Sequence, residues 1–194
     1  MRAPTRIILA STSPRRKMLL EQIGLEFEII PGDYEEDMTL PLPPHKLVMT
    51  LAKGKAMSVA RKQKSGIIVA VDTVVALGEK VLGKPKNAAD AKRMLKSLSG
   101  KTNVVYSGMC VIDAKTGKTL QDYEETMIVF RRLTTAEIDA YVATGEPLDK
   151  AGAYAMQGIA ALFIERVEGC YSNVIGLPLP KLAKMLAKFG VKTI

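Results

Sequence analysis

Tryptophan is absent from this 194-residue chain, histidine occurs once and cysteine twice. Cys110 and Cys170 stand far apart and neither belongs to a C-x-x-C pair, so neither a disulfide framework nor a cysteine zinc site is expected. One histidine excludes a two-histidine metal site, and a His-Asp-Ser triad would have to use His45. Within "LPLPPHKL", His45 reads as a surface residue near a helix start. Aromatic residues make up 5%, with no stacking motif among them, so no stable nucleic-acid partner is expected. No apolar run approaches the ~18 residues of a membrane span, and no membrane association is expected. The opening "MRAPTRIILAST" is too short in its apolar part for a secretory signal, so "RIILAS" reads as a first strand and cytoplasmic residence is expected.

What is present describes an ordinary globular protein: 47% hydrophobic and 25% charged residues. The length suits one domain with a full core, or two small lobes. A net charge of +8 invites polyanionic partners. Part of the excess lies in "KLAKMLAKFGVK", where Lys181, Lys184, Lys188 and Lys192 recur opposite Leu182, Met185, Leu186 and Phe189. That pattern reads as a packed amphipathic helix with a solvated lysine face.

Strand and helix signals alternate along the chain. Residues 6–11 read as a strand, "SPRRKMLLEQIG" as a helix and "LEFEIIPG" as a second strand, followed by the acidic, proline-rich loop "DYEEDMTLPLPP". A long helix is expected from His45 to Lys64, weakened by Gly54. "GIIVAVDTVVALGEKVLGKP" reads as a buried strand with "GEK" as a hairpin turn. "NAADAKRMLKSLSG" is a helix with Asn87 as its cap. Two β runs, "NVVYSGMCVID" and "LQDYEETMIVFRRL", are joined by "AKTGK". A further helix starts at Thr134 or Thr135, with Glu137 placed for a capping box and Gly145 as its stop. Glu146 to Gly158 reads as loop, "AALFIERVEG" as a strand and "LPKLAKMLAKFG" as the last helix. Interleaved helices and hairpins make the expected fold α/β, with a mixed sheet.

Three features carry chemistry. Arg15, Arg16 and Lys17 crowd the first turn of the first helix, where the dipole is positive and acidic residues normally help. Either an anion sits there, met by Ser11, Ser13, backbone N–H groups and guanidinium forks, or the cations bend into solvent with Lys17 pairing Glu21. Asp72 interrupts the apolar strand "IIVAVDTVVAL". A buried carboxylate costs several kcal/mol, roughly, unless paired or metal-bound, so Asp72 is either a site residue or half of an ion pair with a lysine. Asp33, Glu35, Glu36 and Asp37 could join Asp72 around Mg²⁺ or Mn²⁺, or simply form a solvated loop. Lys55 in "AKGKA" and Lys84 in "GKP" suit phosphate or the surface. Gly152, Gln157 and Gly158, in "GEPLDKAGAYAMQG", could approach a planar ligand. No Walker loop or G-x-G-x-x-G turn occurs.

Taken together, "LASTSPRR", "AKGKA", "VDTVV", "GKP", "LSG", "GEPLDKAGAYAMQG" and "NVIGLPL" stand in the order and spacing of the Maf family, and the resemblance covers nearly the whole chain. It implies an α/β fold similar to inosine triphosphate pyrophosphatases: a mixed twisted sheet flanked by helices, one domain over residues 1–194 with two lobes around a central cleft. It also implies a nucleoside triphosphate pyrophosphatase that releases monophosphate and pyrophosphate by metal-assisted attack of water. Asp72, Glu35, Lys55 and Lys84 would be catalytic, with Asp72 and Glu35 as ligands of Mg²⁺ or Mn²⁺. Ser11, Arg15, Arg16 and Gln157 would bind substrate, and a homodimer is implied. "SPRR", "VDTVV" and "DKAGAY" resemble the branch acting on dTTP and UTP. Two positions depart from the family pattern: Asn103 stands where many members have His, and Cys170 where Asp is often found. Two rivals remain, a nucleotide- or nucleic-acid-binding regulator of division without turnover and a pyrophosphatase of purine or modified nucleotides.

Overall fold

A computed structural model describes residues 5–193. Its seven strands form one mixed sheet in the order β2-β1-β3-β5-β6-β7, with β4 paired to β3. β1 (Ile7–Leu9) runs parallel to both β2 (Glu28–Ile29) and β3 (Ile67–Leu77). β4 (Lys80–Leu82) folds back antiparallel on β3 through Gly78 and Glu79, as the "GEK" signal predicts, with Gly78 at φ 60°. β5 (Thr102–Asp113) and β6 (Thr119–Phe130) follow, and β7 (Ile164–Gly169) lies antiparallel on β6. Helices flank the sheet: α1 (Pro14–Gln22), α2 (Pro44–Ala60), α3 (Ala88–Leu98), α4 (Thr135–Ala143), the short α5 (Tyr171–Ile175) and α6 (Leu179–Ala187).

The chain divides into two compact units, with β3, β5 and β6 contributing to both. The first unit comprises residues 1–72, 107–124 and 176–194, and the second 73–106 and 125–175. Each has its own core. In the first, Ala52, Ala56 and Val59 of α2 pack on Ile8, Ala10, Ile68, Ala70, Cys110 and Ile112 of the central strands. Small residues on that helix face let its backbone come close: a Cβ on Gly108 of β5 would lie 2.3 Å from the Val48 carbonyl carbon. Burial pushes the Cys110 thiol up to about 12, which leaves it an inert core group. In the second unit, Leu95, Leu98, Ile138 and Tyr141 of α3 and α4 surround Val105, Ile128, Phe130 and Phe163.

The second unit also shows why α4 begins where it does. The Thr134 hydroxyl accepts from the Glu137 N–H, and the Glu137 carboxylate accepts from the Thr134 N–H, which completes the expected capping box. Arg131 donates to the same carboxylate at 2.7 Å. Hydrogen bonding, that of Arg131 first, holds Glu137 down to about 2, against an ordinary 4.5. Its stabilising contribution is therefore complete above about pH 4.5 and is lost as pH falls towards about 2. Thermal melts of Glu137→Gln should show a lower midpoint than the parent near neutrality, with the gap closing as the pH approaches about 2. A gap that stays constant with pH would contradict this reading.

Several elements differ from the sequence reading. The second strand shrinks to Glu28–Ile29, and the long helix spans Pro44–Ala60 instead of running to Lys64. The stretch read as loop contains 3₁₀ turns at Glu146–Asp149 and Ala151–Ala153. A third, Ile159–Phe163, takes the start of the expected "AALFIERVEG" strand. Glu146 ties this stretch together, accepting from the Tyr141 hydroxyl at 3.1 Å and the Ile159 N–H at 3.1 Å. Lys181 leaves the expected lysine face: it is half-buried against β6, donates to the Tyr123 carbonyl and pairs with Glu124 at 3.4 Å.

Candidate functional site

Asp72 ends the first unit in the middle of β3, 4% exposed. Its Oδ1 accepts from Lys55 Nζ at 2.5 Å, and its Oδ2 is buried with no hydrogen-bond partner. Lys55 comes from α2, on the turn that follows the buried Leu51 and Ala52, and its Nζ also meets Glu36 Oε1 at 2.8 Å. One ammonium thus bridges a buried carboxylate and a more exposed one. Such a pair holds its charges in place, and removing either partner of a buried pair costs about 3–5 kcal/mol.

In the acidic loop Glu35 and Glu36 are both exposed, and Glu36 is the one that reaches Lys55. Asp33 pairs with Lys62 at 2.8 Å, and Asp37 accepts from the Thr39 N–H and hydroxyl. Loop register explains this selection. A Cβ on Gly54 would lie 2.3 Å from the Tyr34 ring, so the glycine that weakens α2 is the seat of that ring. A glycine inside a helical pattern costs about 1 kcal/mol relative to alanine, and that cost was the signal available in the sequence.

At the start of α1, the three cations part company. Lys17 pairs with Glu21 at 3.6 Å, the solvent-side alternative. Arg16 turns inward, donating through Nε to the Gly176 carbonyl at 3.0 Å and through Nη1 to Ser11 Oγ at 3.1 Å. Burial lowers its pKa, while the negative charges of Asp72 and Glu36 oppose the fall, so its guanidinium lies within the field of both carboxylates. Arg15 is half-buried beside it and adds like charge. Ser13 occupies the N-cap position but makes no side-chain cap, and no acidic residue stands in the first turn. The Ser13 N–H instead donates to Ser11 Oγ at 3.3 Å. The helix start therefore concentrates positive charge beside a hydroxyl, the arrangement that favours an oxyanion.

Ser11, Arg15, Arg16, Glu36, Lys55 and Asp72 all belong to the first unit. Lys84 and Gln157 belong to the second: Lys84 is exposed between β4 and α3, and Gln157 is exposed in the loop before Ile159. His45 packs its ring on Tyr123, centroids 5.2 Å apart. Both departures from the family pattern have structural partners. Buried Asn103 donates to the Ile128 carbonyl at 3.3 Å and accepts from the Tyr154 hydroxyl at 2.8 Å. Cys170 Sγ lies 3.3 Å from Ser172 Oγ, while its backbone N–H donates to Thr126 Oγ1 and its carbonyl accepts from the same hydroxyl, each at 3.2 Å.

Among the described residues, no group of three or more His, Cys, Asp or Glu could hold a metal. Asp72 and Glu36 supply oxygen donors only, one with a buried oxygen lacking a partner. That set fits a hard divalent cation that takes its remaining ligands from phosphate and water, the usual habit of Mg²⁺.

The architecture that carries this site is shared with a HAM1 protein from Coxiella burnetii. The two agree with a TM-score of 0.52 over 95% of this chain and 99% of that one, at 15% identity, so the likeness is one of fold. The Maf-like protein family matches residues 6–189, and the chain belongs to that family. A dTTP/UTP pyrophosphatase of Desulforamulus reducens is 47% identical over 188 residues, covering 97% of this chain and 98% of the relative. A dTTP/UTP pyrophosphatase of Gloeobacter violaceus is 46% identical over 184 residues, covering 95% and 96%. Among the described residues, no helix is long and apolar enough to cross a membrane.

Proposed function

We propose that this protein hydrolyses dTTP and UTP to the monophosphate and pyrophosphate. The observation that carries the reading is the buried Asp72, joined by Lys55 to Glu36 and keeping one oxygen without a partner. Near-full-length identity to relatives named for this activity supports the substrate class.

Arg15, Arg16 and Ser11 present donors to the triphosphate at the positive end of α1. Lys55 fixes the two carboxylates and offsets charge growing on the phosphate oxygens. Water attacks the α-phosphorus and the α–β bond breaks; Asp72 accepts the water's proton and pyrophosphate leaves. Asp72 would hold Mg²⁺ or Mn²⁺ together with Glu35, as the resemblance implies, or with Glu36, which meets Lys55. The chemistry such a cation supplies is a lowered water pKa and neutralised phosphate charge.

The test is pyrophosphate release across the common nucleoside triphosphates with Mg²⁺, Mn²⁺ or EDTA. Release is expected fastest for dTTP and UTP and absent in EDTA. Nucleotide or DNA binding without release would favour a regulator, and faster release from purine nucleotides would overturn the pyrimidine assignment. Lys84→Ala and Gln157→Ala test the roles that the resemblance gives those residues. A single domain, a homodimer and a cytoplasmic location belong to the same reading; light scattering tests the dimer.

A further inference from the structure

The loop between β2 and α2 carries Asp33, Glu35, Glu36 and Asp37, all exposed. Mutual repulsion pushes such a segment outward, and an exposed ion pair alone holds a loop weakly. Between Pro31 and Asp37, Tyr34 is the one half-buried residue. It does not stand alone against the helix. Gly54, Ser58 and Lys62 recur at four-residue spacing on α2 and its first following turn, and so present one face. The loop lies along that face: Tyr34 on Gly54, Gly32 so close to Ser58 that a Cβ would lie 2.1 Å from its Oγ, and Asp33 on Lys62 at 2.8 Å. Next to this face stands Lys55, where Glu36 arrives at 2.8 Å.

We propose that Tyr34 is a positioning residue, whose ring, seated in the gap left by Gly54, sets Glu36 on Lys55 beside Asp72. The proposal rests on the reading of these three charged residues as the reacting site and deepens it. The ring's shape carries the role, since it is ring carbons that fill the place of the missing Cβ. Gly54 is the other half of the device. An alanine there would improve the helix and still evict the ring.

Tyr34→Ala is expected to lower kcat about tenfold or more, as a misplaced catalytic group does, with a smaller change in KM. Tyr34→Phe should stay within about twofold of the parent. Gly54→Ala should reproduce the loss at an equal or higher thermal midpoint, which separates positioning from stability. In a Glu36→Gln background, Tyr34→Ala should cost less than about twofold, because the residue it positions is already disabled. An activity-free measurement accompanies these: cleavage by a glutamyl endopeptidase after Glu35 or Glu36 should speed up about fivefold or more in Tyr34→Ala and Gly54→Ala, and not in Tyr34→Phe. Equal cleavage in all four proteins, or full additivity with Glu36→Gln, would overturn the proposal. If the parent releases no pyrophosphate from any nucleotide, the proposed function fails, while the cleavage rates still decide whether Tyr34 holds the loop.

Discussion

Asp72→Asn is expected to lower pyrophosphate release by about a thousandfold while the chain stays folded. The magnitude follows from asking one carboxylate for two services. Loss of a positioned general base costs about 10²–10⁴, and loss of one preorganised electrostatic group about 10²–10³. Both services need the negative charge, and asparagine keeps the shape without it. Folding survives because the amide oxygen can still accept from Lys55, which retains Glu36 at 2.8 Å. The amide nitrogen then takes the position of the oxygen that has no partner. Removing a buried charge also removes its desolvation cost. Steady-state pyrophosphate release and a thermal melt read the two halves of the expectation. A rate within about tenfold of the parent would take Asp72 out of the chemistry.

A large loss of stability is expected from one methyl group at Gly108. A Cβ there would stand 2.3 Å from the Val48 carbonyl carbon and 2.4 Å from the Met49 nitrogen. These are backbone atoms of a helix, and no rotamer change relieves them. Either α2 withdraws from the sheet or β5 bends, and both disturb the core formed by Ala52, Ala56 and Val59. Overpacking costs about 1–3 kcal/mol, more where the neighbour is rigid, so Gly108→Ala is placed near 3 kcal/mol. At this size that lowers the melting midpoint by roughly 6–12 °C. Because α2 also carries Lys55, activity should fall below the melting transition as well. A midpoint shift under about 2 °C would mean that the helix has room to move.

Much of the fold was legible because its signals are local. Asn87 accepts from the Asp90 N–H at 2.9 Å, as its position before an apolar-periodic run predicts. Thr134 and Glu137 close the capping box that their spacing announces. The 3₁₀ turns between Glu146 and Phe163 were not legible, since what orders them is the Glu146 carboxylate reaching Ile159, thirteen residues on. The site divides in the same way. A charge in an apolar strand singled out Asp72, and cations at a helix start singled out Arg15 and Arg16. Which arginine turns inward depends on the Gly176 carbonyl, 160 positions away. Which glutamate meets Lys55 depends on how a ring seats on Gly54. Periodicity describes one element at a time, whereas those selections are made by contacts between elements.

The anchoring of Arg16 on Gly176 has a consequence for how the protein is made. Residues 73–106 and 125–175, which form the second unit, are all synthesised before the segment beginning at Gly176. The first unit needs that segment, so its oldest residues wait for its newest. Long-range closure of this kind is slow relative to local pairing. The helix start rich in arginine therefore waits through the synthesis of the intervening chain for its carbonyl partner, 160 positions on.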